Sequence, residues 1–279
     1  LGALAFSFSD SFWYSAVEGE VYALSSFFTA AVFWAILKWE DVAGQKNANR
    51  WLILIAYLVG LSTGVHLLNL LAIPAIGLVY YFKKYEFSWK GISVALGISV
   101  LILGGIQYII IPGIARMAFV FDELFVNSFG MPFNSGILFM IAAIIAAFIW
   151  AVRYTQKKNL VIWNTAITMV IVILIGYSSF ALILIRASAN PPMNQNHPDN
   201  AFALLKYLNR EQYGERPLLY GRYYNAPAIS NIGEKDQYNK VDGKYKVTGS
   251  LAGSTKYEPK LETFFPRMYS GNANHVQVY

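Results

Sequence analysis

No cysteine occurs in the 279 residues, which removes disulfides, thiolate metal sites and a cysteine nucleophile together. Charge is scarce as well: Asp, Glu, Lys and Arg make up 14% of the chain, against about a quarter in an ordinary soluble domain. Histidine occurs three times and only His66 lies in the apolar part, so no histidine-built metal centre can form there. What is abundant is apolar sequence, 56% hydrophobic and 16% aromatic, with a mean hydropathy of +0.41. A single water-soluble domain is excluded on this balance. The net charge of +6 does not mark a nucleic-acid binder. Of 22 Lys and Arg, 11 stand before residue 190 in short clusters between apolar runs, and 11 after it among 8 of the 16 acids. Nothing there tracks a phosphate backbone, so no nucleic-acid partner is expected.

A bilayer core about 30 Å thick needs roughly 20 apolar helical residues. Runs that meet or approach this are Val21 to Leu37, Trp51 to Phe82, Gly91 to Ile114, Ile137 to Val152 and Leu160 to Ile185, and Leu1 to Phe8 reads as the tail of another. The 32 residues from Trp51 to Phe82 can be one tilted span or a hairpin folded at STGVHLLN. Charge decides between them. As a hairpin, the run leaves Lys38, Lys46, Arg50, Lys83, Lys84, Lys90, Arg153, Lys157 and Lys158 on one side, the cytoplasm, with Arg116 and Arg186 outside. As a single span it would move six of those nine outside. The hairpin predicts that Phe8 to Gly19, the tip at Gly64 to Asn69, the loop Arg116 to Ser135 and everything after Arg186 are external. Its arms span only about 21 Å each, which predicts a cavity or a thinned surface there.

The expected fold is therefore a membrane all-α, polytopic bundle of about six spans over residues 1–189, followed by a small external α+β segment over 190–279. The Pro/Asn-rich stretch ASANPPMNQNHP ends the last span. Asp199 or Asn200 can cap a short helix, AFALLKYLNRE, and RPLLYGRYY, KYKVTGSL and NHVQVY alternate like strands. The start and the end of the sequence both fall within structured stretches, so it reads as a piece of a longer protein.

Sorted by side, the ionisable groups are unequal. Asp10, Glu18, Glu20, His66, Asp122 and Glu123 all fall on the external face, where they can meet as an acid/base site at the bilayer boundary. Glu20 is favoured over Glu18 because it adjoins the apolar run; the plainer reading is a pair of acids complementing a helix dipole. His66 has Ser62 four residues before and Asn69 three after, positions that share one helix face. An ionisable group at membrane depth is a functional candidate, although an imidazole can also serve a turn's backbone. ARMAFVFDELFVNSFGMPFN suits a helix in the headgroup layer, with Arg116 placed to hold a phosphate or simply to anchor an aromatic belt. The tail is rich in tyrosine, including Tyr213 and Tyr269, and GRYYN can line a sugar or peptide groove. No span carries a charge at its middle, which argues against an ion-coupled transporter.

FWYSAVEGEVYAL, GLSTGVHLLNLLAIPA, NPPMNQNHPDNAFALLKYLNREQYGERPLLYG and KYEPKLETFFPRMYS together resemble a bacterial multi-span membrane family of unknown function. That family is grouped with the animal transmembrane protein O-mannosyltransferases in the GT-C glycosyltransferase superfamily. The resemblance implies transfer of a sugar, mannose being expected, from a polyprenyl-phosphate donor to a protein hydroxyl on the outer face of the cytoplasmic (inner) membrane, with the C-terminal segment periplasmic. It implies a carboxylate base in an external loop upstream of Leu1. It also carries the EVYAL positions onto Glu20 to Leu24 and the HLLNLL positions onto His66 to Leu71. On this footing Glu20, Tyr22, His66, Asn69, Arg116 and Asp122 are the candidate donor- and acceptor-binding residues. Phosphate is a good leaving group, so no cofactor or metal is required, and a divalent metal stays open. Two other readings remain: a carrier or flippase for a lipid-linked sugar, and a non-catalytic anchor whose external segment binds glycan or protein.

Overall fold

The computed structural model describes residues 1–211, 217, 219–266, 274, 277 and 278, with backbone alone at 234, 235, 251 and 252. The chain forms two compact units, Leu1–Met117 with Leu138–Leu204, and Ala118–Ile137 with Leu205–Tyr279. The second unit therefore joins the end of one long helix, the turn after it and the start of the next to the tail. Five helical runs are long and apolar enough to cross a membrane, and the protein is an integral membrane protein.

The first unit opens with two short helices, α1 (Gly2–Ser7) and α2 (Asp10–Val17), before α3 (Val21–Val42). The run expected at Trp51 to Phe82 is broken in the middle. α4 (Asn49–Thr63) ends where the Ser62 and Thr63 hydroxyls donate to the Val59 and Gly60 carbonyls, at 2.8 and 2.6 Å. Such back-bonding competes with the helix ladder. A 3-10 turn over Leu67–Ala72 then leads into α5 (Ile73–Lys84), with Pro74 in the first turn, where its missing N–H costs nothing.

Ring contacts fix the directions. Trp34 meets Trp51 at 5.3 Å and Tyr22 meets His66 at 5.7 Å, so α3 and α4 are antiparallel. Trp39 stacks on Tyr80 at 5.0 Å, so α5 runs parallel to α3. The Lys84 ammonium donates to the Ala43 carbonyl at 3.2 Å, which returns the end of α5 to the turn before α4. The stretch from Trp51 to Phe82 is a hairpin.

α6 (Trp89–Gly104) packs antiparallel on α5, with Gly91 seated against the Tyr81 phenol and Gly77 against Ser99. The helix does not stop at Ile114. The Ile111 N–H bonds to the Ile106 carbonyl five residues back, closing a π-helical turn over Gly105–Ile110 just before Pro112. The wider turn absorbs the proline, which has no N–H to donate. α7 (Ile111–Phe129) continues directly, so Trp89–Phe129 is one helical run of 41 residues. The loop expected over Arg116 to Ser135 is thus corrected: all but residues 130–134 of it lies in α7 or at the start of the next helix. α8 (Ser135–Lys157) follows, then α9 (Val161–Tyr177), a 3-10 turn at Ser178–Phe180 and α10 (Ala181–Ser188).

α9 lies parallel to α4. Asn49 bonds to Thr165 near the start of both helices. Further along, Gly60 lies against the Ile173 backbone, Gly176 against the backbone of Tyr57 to Leu61, and Gly64 against Ser179. Small residues let two backbones approach within lipid, where apolar burial gives no drive. After α10, Asn200 caps α11 (Ala201–Leu208) by accepting the Ala203 N–H at 3.0 Å, the second of the two caps expected.

In the second unit β1 (Tyr220–Arg222) pairs antiparallel with β4 (Glu262–Phe264), and β2 (Ala228–Val241) pairs antiparallel with β3 (Lys244–Tyr257). The two-residue turn of the long hairpin is Asp242-Gly243, both at positive φ (51° and 74°), the chemistry a tight primed turn demands. KYKVTGSL lies in β3, RPLLYGRYY is strand at Tyr220–Arg222 with its residues 216 and 218 outside the described residues, and the end of the chain at HVQVY falls mostly outside them too.

Candidate functional site

The break in α4 positions the candidate residues of the first unit. Gly64 and Val65 leave the helix, and His66 enters the 3-10 turn in extended conformation, φ −160° and ψ 138°. Its Nδ1 accepts the Leu68 N–H at 3.1 Å, so a neutral imidazole carries its proton on Nε2, a donor that meets no partner among the described residues. The ring is half-buried and tilted against Tyr22. Two residues before Tyr22, Glu20 is the residue at the mouth of α3; its exposed carboxylate makes no capping bond.

Beneath the tip is a polar knot. Asn69 is wholly buried, and its Nδ2 donates to Ser62 Oγ at 2.9 Å, tying the 3-10 turn to the last turn of α4. The expectation that Ser62, His66 and Asn69 share one helix face is corrected in part. The helix is broken between them, so Ser62 and Asn69 meet across the break while His66 turns to its own backbone. Asn69 Oδ1, Ser25 Oγ and Ser179 Oγ are buried and meet no protein partner among the described residues. Ser25 falls on α3 between the Tyr22 and Trp34 contacts, at the height of Ser62, and Ser179 lies on Gly64. Sequence reading passed over Ser25 and Ser179 because a serine in an apolar run carries no periodic signal.

Arg116 reaches the same end by a different route. The hydroxyl of Tyr177, two residues before Ser179, donates to the Ile111 carbonyl at 2.7 Å and joins α9 to the foot of α7. Arg116 is exposed five residues further along, about 7.5 Å up the helix. Glu20, Tyr22, His66, Asn69 and Arg116 thus belong to one end of the first unit.

Asp122 belongs to the second unit. It is completely buried, and its carboxylate accepts the Asn134 N–H at 3.0 Å, the Gly136 N–H at 3.1 Å and the Tyr245 hydroxyl at 2.7 Å. It therefore caps α8 from α7 and holds the β2–β3 hairpin. Asn127 completes the clasp by accepting the Tyr245 N–H and donating to the Tyr245 carbonyl, both at 2.9 Å, as a neighbouring strand would. Phe119 and Phe133 set ring edges against Tyr245, at 5.6 and 5.1 Å. Tyr238 sits on Phe119, and its phenol is pushed up from the usual value, first by burial and then by the Glu123 and Asp236 carboxylates. Of the tail tyrosines, Tyr213 and Tyr269 fall outside the described residues.

Among the described residues no three His, Asp or Glu side chains gather into a set that could hold a metal ion. Residues 1–89 match the family model described as the Protein O-mannosyl-transferase TMEM260 N-terminal domain, the segment that holds Glu20, Tyr22, His66 and Asn69. Residues 214–279 match a family of unknown function, DUF8416. No curated protein and no solved structure matches the chain.

Proposed function

We propose that the protein is a GT-C-type glycosyltransferase that moves a sugar, mannose in our reading, from a polyprenyl phosphate to a protein hydroxyl at the outer face of the cytoplasmic membrane. The observation that carries this reading is the coincidence of the O-mannosyltransferase N-terminal match with the α4 break, where an imidazole, a phenol and a carboxylate stand together at the end of a bundle. The acceptor oxygen attacks the anomeric carbon, the bond from that carbon to the phosphate oxygen breaks, and polyprenyl phosphate leaves with inversion. The hydroxyl proton goes to a carboxylate base, a role to which we assign no residue of this sequence.

Within the sequence, His66 Nε2–H is a donor for a sugar hydroxyl or a phosphate oxygen, oriented by its bond from Leu68. Tyr22 walls the imidazole, Glu20 accepts from a sugar or acceptor hydroxyl, and Arg116 offers a guanidinium fork to the lipid phosphate. Asn69 holds the turn that presents His66, and Asp122 keeps the architectural part described for it. Donor and acceptor are the only partners this chemistry needs apart from lipid.

Full-length protein in membranes, given polyprenyl-phosphate mannose and an acceptor peptide, is expected to lose transfer by about ten-fold or more on His66→Ala or Glu20→Gln, the scale of a lost hydrogen bond to a charged group. Glu86→Gln, at the opposite end of the helices, should leave the rate unchanged. Wild-type transfer in both His66→Ala and Glu20→Gln would sink the assignment.

A further inference from the structure

The end of the first unit opposite the α4 break is drawn together by side chains that join or close three chain turns. Lys84 closes the end of α5 onto the α3–α4 turn through the Ala43 carbonyl. Asn49 brings the start of α4 to the start of α9, its Nδ2 donating to Thr165 Oγ1 at 3.3 Å. Asn164 Nδ2 donates to Thr155 Oγ1 at 2.9 Å across the α8–α9 turn. The Tyr81 hydroxyl donates to the Glu86 carbonyl at 2.7 Å and holds the α5–α6 turn.

These turns and the helix ends beside them carry nine of the eleven Lys and Arg in the unit against three acids, Glu40, Asp41 and Glu86. The other end has two, Arg116 and Arg186, against four acids. Lys38 has Asp41 at 3.7 Å, and among the described residues the other eight have no carboxylate within ion-pair distance. Aromatic rings accompany the charge. Arg50 lies 5.9 Å from the Trp51 ring, and the α5–α6 turn exposes Tyr85, Phe87 and Trp89. Rings at headgroup depth beside unpaired cations match a bilayer surface in both polarity and sign.

We propose that this end is a docking surface for acidic phospholipid headgroups, with Lys46, Arg50 and Lys84 around the α3–α4 turn as its centre. The surface is a property of charge placement on the helix ends and is independent of the transfer reaction proposed above. Each cation near an anionic surface favours it several-fold, so three at one turn select acidic over zwitterionic lipid strongly.

The test uses the tryptophans, of which Trp51, Trp89 and Trp163 lie at this end. The full chain is reconstituted in bilayers containing phosphatidylglycerol or phosphatidylcholine with brominated acyl chains, and fluorescence quenching is followed against mole fraction. Brominated phosphatidylglycerol is expected to quench at a several-fold lower fraction. The triple variant K46Q/R50Q/K84Q should bring the two lipids close to equal, and Arg186→Gln, at the other end, should keep the preference. Equal quenching in the wild type, or an undiminished preference in the triple variant, overturns the proposal. Should the triple variant fail to insert, salt decides: raising ionic strength to about 0.5 M should shrink the wild-type preference, and one indifferent to salt overturns it.

Discussion

Removing the hydroxyl of Tyr245 deletes one of three donors to the buried Asp122 carboxylate, and Tyr245→Phe is expected to weaken the second unit by about 1–2 kcal/mol. Asp122→Ala goes further, leaving two backbone N–H groups and a hydroxyl buried without an acceptor, at about 3 kcal/mol or more. Amide exchange along β3 reads both. The ranking should reverse if Asp122 serves ligand rather than architecture. Tyr238 gives this unit an alkaline limit. Its raised phenol favours the neutral form in the folded state, so the linked stability is whole below the ordinary value of 10.0 and is lost as pH rises through the raised one. Tyr238→Phe should remove that loss in unfolding midpoints taken between pH about 9 and 12. Asp122 shows where sequence reading fails at this scale. Beside Glu123 it looks like half of an exposed acid pair, and the tyrosine that buries it lies 123 residues away. His66 was legible, because one imidazole in an apolar run beside glycine and asparagine stands out without any partner being known.

At the scale of the helix, the contact between α4 and α9 rests on two glycines set against backbone, where a side chain has no room to turn aside. Gly60→Val or Gly176→Val should lower the thermal midpoint in detergent steeply, whereas Gly104→Ala, with open space at its Cβ, should be neutral or slightly stabilising. The hairpin between Trp51 and Phe82 could be read beforehand because the placement of Lys and Arg decided what length left open. The course of α7 could not. Pro112-Gly113 is ordinarily a stop, and whether a proline ends a helix or is absorbed by one wide turn depends on the neighbouring i→i−5 bond, which composition does not encode. β2 was missed for a related reason: its GEKDQ centre is polar and has no apolar alternation to mark it as a strand.

For the whole molecule, the tail is not self-sufficient. The segment matching DUF8416 begins at residue 214, yet the carboxylate and carboxamide that clasp Tyr245 come from Asp122 and Asn127 in the second half of α7. A lone two-stranded ribbon is marginal in water. Residues 205–279 expressed alone should therefore exchange the β3 amides rapidly, and joining them to 118–137 should restore protection; slow exchange in the isolated tail would show that the clasp is dispensable. The division expected at residue 189 follows composition, whereas the two compact units are groupings by contact.

The side-by-side alignment of α4 and α9 also sets an order of events during synthesis. The two partners bonded through Asn49 and Thr165 are 116 positions apart, and at about 5–20 residues per second the ribosome needs on the order of ten seconds to deliver the second after the first. Through that interval the glycine face of α4 waits in the bilayer with only its earlier neighbour for company, a vacancy that an insertion chaperone or a wrong helix could occupy.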